Sequence, residues 1–173
     1  MKKRWIALYV ENDPGVLAKI AGLFSGKSYN LDSLTVGTTE DESVSRMTIS
    51  LYGDDATFEQ IKKQLNRCIE VIKVIDLSNV RIHMKEILYM KIKGLTESNK
   101  DEPFRIAKAF NLTVKDYNKS EILLESIHTA QKNDDIIYAV KSIFPSLEVV
   151  RGGSVAIESI NTSTKNFSKT LPY

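Results

Sequence analysis

Residues 5–24 read Trp5-Ile6-Ala7-Leu8-Tyr9-Val10-Glu11-Asn12-Asp13-Pro14-Gly15-Val16-Leu17-Ala18-Lys19-Ile20-Ala21-Gly22-Leu23-Phe24, and this stretch decides the fold. Trp5 to Val10 is an unbroken aromatic and branched run, the pattern of a buried strand. Asn12-Asp13-Pro14-Gly15 breaks it. Asp13 before Pro14 predicts an N-cap followed by proline at the first helical position. Val16, Leu17, Ile20, Leu23 and Phe24 then recur at helical spacing, and Gly26 is placed to end the helix.

Working outward, two strands are expected over residues 32–38 and 44–52, joined by the acidic turn Glu40-Asp41-Glu42. Asp54-Asp55 or Thr57 opens a second helix, with Phe58, Ile61, Leu65 and Ile69 as its apolar positions. Residues 70–77 form a further strand. The order is βαββαβ. The second half repeats that architecture without repeating the sequence. A strand is expected at 87–92, a helix at 103–110, and a strand pair at 112–117 and 122–127 turning at Asn118-Lys119-Ser120. Ile136, Ile137, Val140, Ile143 and Phe144 mark a helix stopped before Pro145. The last strand, 147–150 and 154–157, is interrupted by Gly152-Gly153, which reads as a β-bulge or bend. A βαββαβ unit of this size is a ferredoxin-like sandwich, an antiparallel sheet with two helices on one face. The fold class is therefore α+β, with two such domains at 4–78 and 84–158, a boundary near 78–85, and a disordered tail at 159–173.

Composition narrows the function. With 24 basic and 22 acidic residues interspersed along 173, the net charge of +2 supplies no broad phosphate-binding face. No nucleic-acid partner is expected, because the strand Ser43 to Ser50 lacks the stacking aromatics of an RNA-recognition sheet. One cysteine, Cys68, permits no internal disulfide and no paired-cysteine metal loop, and fits a reducing cytoplasm. Cys68 is expected on a helix as a structural thiol. The apolar run at the N-terminus is too short for a signal core or a membrane span. The two histidines, His83 in the linker and His128 at a strand end, have no nucleophile or metal-ligand spacing around them and read as exposed loop residues. The acidic groups at 40–42 and 134–135 read as solvated turns and a helix start. No metal site is expected, and no catalytic constellation assembles.

The first strand-to-helix turn is the segment with chemistry to explain. A helix start carries unpaired N–H groups and positive partial charge, which suit a carboxylate. Gly15 allows close approach to the backbone, and Asn12 offers a donor and an acceptor to a zwitterion. Val16, Leu17 and Val36 can line an apolar side-chain pocket. The turn alone reads equally well as a plain helix start capped by Asp13.

The wider run separates these readings. Asp13-Pro14-Gly15-Val16-Leu17, Ile20-Ala21-Gly22-Leu23-Phe24 and Tyr29-Asn30-Leu31-Asp32-Ser33-Leu34 resemble the ACT domain, an amino-acid-sensing module. With Leu34-Thr35-Val36-Gly37 and Ser45-Arg46-Met47-Thr48-Ile49, residues 5–78 resemble the small regulatory subunit of acetolactate synthase (acetohydroxyacid synthase). Residues 85–158, with Arg151-Gly152-Gly153, resemble that family's C-terminal domain more loosely. The resemblance implies a non-catalytic subunit that activates a catalytic large subunit and confers feedback inhibition by a branched-chain amino acid, valine first, then leucine or isoleucine. The cofactors, thiamine diphosphate, magnesium and FAD, are implied for that partner and not for this chain. It also implies a homodimer through ACT domains with effector between them. The effector positions it implies are Asn12, Gly15, Val16 and Leu17 in the turn, Asn30 and Leu31 on the facing segment, Thr35, Val36 and Gly37 nearby, and Gln60. Gly37 is often alanine in the family, which bears on pocket size. A stand-alone sensor acting on another enzyme is the competing reading. An enzyme in its own right is the third.

Overall fold

Strand β1 (Lys2–Glu11) is buried along most of its length because it is covered on both faces. Ile6, Leu8 and Val10 lie beneath two helices, whereas Trp5 and Ala7 face the other way, against Leu77 and, from the second domain, Ala156. This explains why the run that opens the sequence does not alternate apolar with polar, as a strand with one wet face would. The computed structural model describes residues 1–25, 29 and 31–160.

The first domain continues with α1 (Val16–Ser25), β2 (Leu31–Thr38), β3 (Val44–Gly53), α2 (Asp55–Leu65) and β4 (Val71–Asp76). Its antiparallel sheet has the order β2-β3-β1-β4, so β2 is an edge strand. The second domain is β5 (Ile82–Lys93), α3 (Glu102–Phe110), β6 (Thr113–Tyr117), β7 (Glu121–His128), α4 (Ala130–Ile143) and β8 (Leu147–Glu158), with the order β6-β7-β5-β8. Both are ferredoxin-like βαββαβ units, and the α+β class stands. No helix among the described residues is long and apolar enough to cross a membrane.

β5 joins the two halves physically. Its residues at spacing 2 share one face. Leu88, Met90 and Ile92 of that face pack under α3 and α4, while Ile82 and Met84 pack against the interdomain cluster of Trp5, Ala7, Leu77 and Ala156. Gly152-Gly153 is a β-bulge in β8: Glu86 pairs with Ser154 but Leu88 with Arg151, so β8 carries one extra residue there.

Several expectations need correcting. Helix α1 starts at Val16, not at Pro14, and Asp13 contributes its backbone carbonyl to Val16 N–H (3.3 Å) rather than a carboxylate cap. Pro14 and Gly15 form a turn, because Gly15 takes φ +90°, a left-handed value that a helical turn does not admit. Helix α2 is capped by Asp54, whose carboxylate accepts from Thr57 N–H at 2.7 Å, but it ends at Leu65. Ile69 is therefore off the helix and 88% exposed, and Cys68 sits half-buried in the turn that follows. β5 begins at Ile82, so His83 is an exposed strand residue rather than part of the linker. His128 ends β7 half-buried, with Nε2 3.0 Å from Phe110 O, and is not a free loop histidine. Asp134 is not simply solvated but pairs with Arg151 at 2.6 Å. Gly26, Asn30 and residues 161–173 of the tail lie outside the described residues.

Candidate functional site

The sheet register brings the end of β1, the start of β3 and the end of β2 together: Glu11 pairs with Val44, and Thr38 with Ser45. The turn into α1 leaves from that same end. At its tip Gly15 has no described residue within 4 Å of where a Cβ would stand. Val16 N–H is taken by Asp13 O, whereas the N–H groups of Gly15, Leu17 and Ala18 have no backbone acceptor among the described residues. These donors, with the positive end of α1, suit a small anion such as a carboxylate.

Apolar groups stand beside them. Val16 is buried beneath the turn, and Leu17 (42% exposed) and Val36 (46%) are half in solvent. Val36 pairs with the core residue Met47, which places it on the helix-bearing face of the sheet, at the open edge of β2. Asn12 holds the turn to β3. Its Nδ2 donates to Glu42 O at 2.9 Å, and its Oδ1 accepts from Ser45 Oγ at 2.8 Å. Replacing Asn12 by alanine removes both bonds and is expected to lower stability by about 1–2 kcal/mol in a thermal melt. An unchanged melt would show that the bridge contributes nothing.

The remaining expected positions are dispersed. Leu31 pairs with Leu51 at the far end of β2, about 20 Å along the strand from Gly37 at the usual rise of about 3.3 Å per residue. Thr35 and Gly37 pair with Thr48 and Arg46, on the face away from the helices. Thr35 Oγ1 donates to Ser154 O of β8 at 3.1 Å, so its hydroxyl faces the second domain. Gln60 is exposed on α2, and no hydrogen bond joins it to the turn among the described residues. One chain thus groups Asn12, Gly15, Val16 and Leu17 at the turn, sets Val36 and Gly37 at the near end of β2 on opposite faces, and leaves Leu31, Thr35 and Gln60 elsewhere.

Two features were not singled out from the residues. Ser33, on the same face as Thr35, accepts the N–H of Ser154 at 3.0 Å. Nearby, Glu86 is buried (4% exposed) and is held by Arg151 at 3.0 and 2.7 Å and by Asn133 Nδ2 at 3.0 Å. Burial pushes the Glu86 carboxyl up, but the bonds from Arg151 and Asn133 outweigh it and hold it below the usual range. Ser33, Glu86 and Arg151 border a polar cavity of about 390 Å³ between the domains, also lined by Lys3 and Asp32. The only trace in the sequence was the serine–threonine alternation at 33 and 35.

Comparison with known proteins fits this architecture domain by domain. Residues 6–73 match the family described as an acetohydroxyacid synthase small-subunit-like ACT domain, and residues 85–160 match the family described as the small subunit of acetolactate synthase. The chain is 36% identical over 155 residues to the acetolactate synthase small subunit of Haemophilus influenzae, covering 90% of this chain and 94% of that protein. It is 37% identical over 157 residues to that of Aquifex aeolicus, covering 91% and 81%. The crystal structure of the acetolactate synthase small subunit from Thermotoga maritima superposes with a TM-score of 0.85 at 28% identity, covering 94% of this chain and all of that one (100%). The chain belongs to the family of acetolactate synthase small subunits.

Proposed function

We propose that this chain is the non-catalytic regulatory subunit of acetolactate synthase. It activates the catalytic large subunit and imposes feedback inhibition when a branched-chain amino acid, valine first, binds between the ACT domains of two copies. Thiamine diphosphate, magnesium and FAD belong to the catalytic partner in this reading, and the setting is the cytoplasm.

The observation that carries the reading is the open shelf at Gly15. It pairs unused N–H donors with half-exposed Leu17 and Val36 at the unpaired edge of β2. A zwitterion with a short branched side chain matches both halves of it. The edge also accounts for the dispersed positions. Leu31 and Gly37 mark opposite ends of β2. A two-fold axis setting β2 against β2 of a second copy, antiparallel, brings the Leu31 end of one chain beside the Gly15 end of the other. The Gly15 turn of one chain and Leu31 of the other then meet twice, at two sites each shared by two chains, and the edge is covered. Binding favours one dimer arrangement, and that difference in affinity is the source of inhibition.

Isothermal titration of the purified chain with valine, then leucine and isoleucine, tests this. Binding with a Kd between about 1 μM and 1 mM, about −8 to −4 kcal/mol, is expected for valine. Absence of binding of all three, with and without the catalytic subunit, would overturn the effector assignment. A site that separates the three by single methylenes discriminates by about 10–200-fold at most, so leucine and isoleucine are expected to bind as well, more weakly.

A further inference from the structure

We propose that the contact of β2 with β8 is the joint through which the effector site reaches the second domain. It consists of the Ser33 and Thr35 hydroxyls on the backbone of Ser154, seated against Gly153, and it rests on the effector reading above.

β8 is an edge strand of the second sheet, and its free edge is met by side chains of the first domain. Ser154 N–H donates to Ser33 Oγ at 3.0 Å, and Ser154 O accepts from Thr35 Oγ1 at 3.1 Å. One turn of pleat further on, Ala156 O accepts from Arg46 Nη2 at 2.7 Å. These bonds hold Ser33, Thr35 and Arg46, all on the helix-free face of the first sheet, whereas Leu34 and Val36 face the helices. Neighbouring residues of a strand share one backbone and point to opposite faces of the sheet. An effector that repositions Val36 on one face of β2 therefore displaces Thr35 and Ser33 on the other.

The far side of the contact is built to transmit that displacement. Gly153 has φ +76°, and a Cβ there would stand 2.8 Å from Thr35 Cγ2 and 3.1 Å from Ser33 Oγ, so the two strands meet without slack. Two residues back, Arg151 fixes the bulge to Glu86 of β5 and to Asp134 near the start of α4. Asn133 of α4 closes the network, donating to Glu86 and accepting from Ser126 Oγ at 2.7 Å. A shift of β2 thus meets a bulge clamped to α4 rather than a loose loop. Coupling of sites requires such a contiguous element, held by both domains, whose arrangement each of them biases.

The test uses Ser33→Ala and Gly153→Ala, neither of them in the effector set, reconstituted with the catalytic subunit. Valine affinity of each isolated variant is measured by calorimetry, with activation and inhibition of the complex measured by activity. The expected result is a Kd within about threefold of the parent, retained activation, and inhibition weakened by at least about fivefold, the lower end of ordinary coupling. Gly153→Ala is expected to show the larger loss. Ser33→Ala removes only one hydroxyl and covers the case in which the glycine variant does not fold. Amide exchange of the parent chain, with and without valine, is the second readout, with altered protection expected at Ser154 and at the start of α4. Parent-like inhibition in Ser33→Ala, or unaltered exchange at Ser154 with valine bound, overturns the joint and leaves the effector site standing. A parent chain that binds none of valine, leucine and isoleucine, alone or with the catalytic subunit, overturns the effector reading, and the joint falls with it.

Discussion

Gly15→Asp is expected to abolish valine binding and feedback inhibition while leaving activation of the catalytic subunit intact. The position combines a backbone at φ +90° with empty space where the side chain would go. The Cβ of the aspartate therefore meets no described residue within 4 Å in the free chain, and the left-handed backbone costs about 1–2 kcal/mol. That space is where the effector carboxylate is proposed to lie. Two unit negative charges about 4 Å apart repel by about 4 kcal/mol near a protein surface, roughly three decades of affinity. Gly15→Ala carries the same backbone cost without the charge and is expected to lose far less. Calorimetry on both variants and an activity assay of the reconstituted complex make the comparison. Normal valine sensitivity in Gly15→Asp would remove the site from this turn.

Arg151→Ala is expected to cost about 3–5 kcal/mol of stability, because it strands a buried carboxylate. Glu86 is 4% exposed and takes two bonds from Arg151, at 3.0 and 2.7 Å. Without the guanidinium, Asn133 is the one side-chain hydrogen-bond partner left among the described residues. Trp5 is the only tryptophan and lies in the interdomain cluster, so its fluorescence in urea reads the loss at the place it occurs.

The pH dependence separates this from a simple packing defect. In the parent chain the folded-state pKa of Glu86 lies below its ordinary value of 4.5. Its contribution is thus fully present above about pH 4.5 and is lost as pH falls through the folded value. In Arg151→Ala burial dominates and raises that pKa above the unfolded one. Stability is then expected to decline as pH rises through the region above 4.5, the reverse slope. Replacing both groups, Glu86→Leu with Arg151→Met, is expected to recover most of the loss, since a buried pair exchanged for apolar residues is often neutral or better. Equal stability of Arg151→Ala and the parent across this range would show that Glu86 does not depend on the pair.

Legibility divides along the range of the interactions. The order of all twelve elements follows from hydrophobic period and turn residues alone. The same signals leave the α2 start open among Asp54, Asp55 and Thr57, and Gly152-Gly153 open between a bulge and a bend; the Asp54 cap and the bulge are what form. These depend on groups within a few residues of one another. The shelf at Gly15 was legible for the same reason, as a strand end, a glycine and an apolar helix face in one short run. The errors lie where the deciding partner is remote. Ile82 to Lys85 read as part of the boundary because the residues that make it a strand face are Trp5, Leu77 and Ala156 in the interdomain cluster. Asp134 read as solvated because Arg151 reaches it from another element.

Local chemistry in the sequence thus determined two βαββαβ domains, their elements and the turn at Gly15 that leads into α1. Only the tertiary structure decided that the sheet of the first domain is covered by β8 and that Ser33 and Thr35 spend their hydroxyls on Ser154. It also decided that Glu86 is buried with Arg151. The physical reason is that hydrogen bonds and charge pairs across 119, 121 and 65 residues of chain depend on how two finished sheets pack. No period or turn signal within either domain encodes that packing.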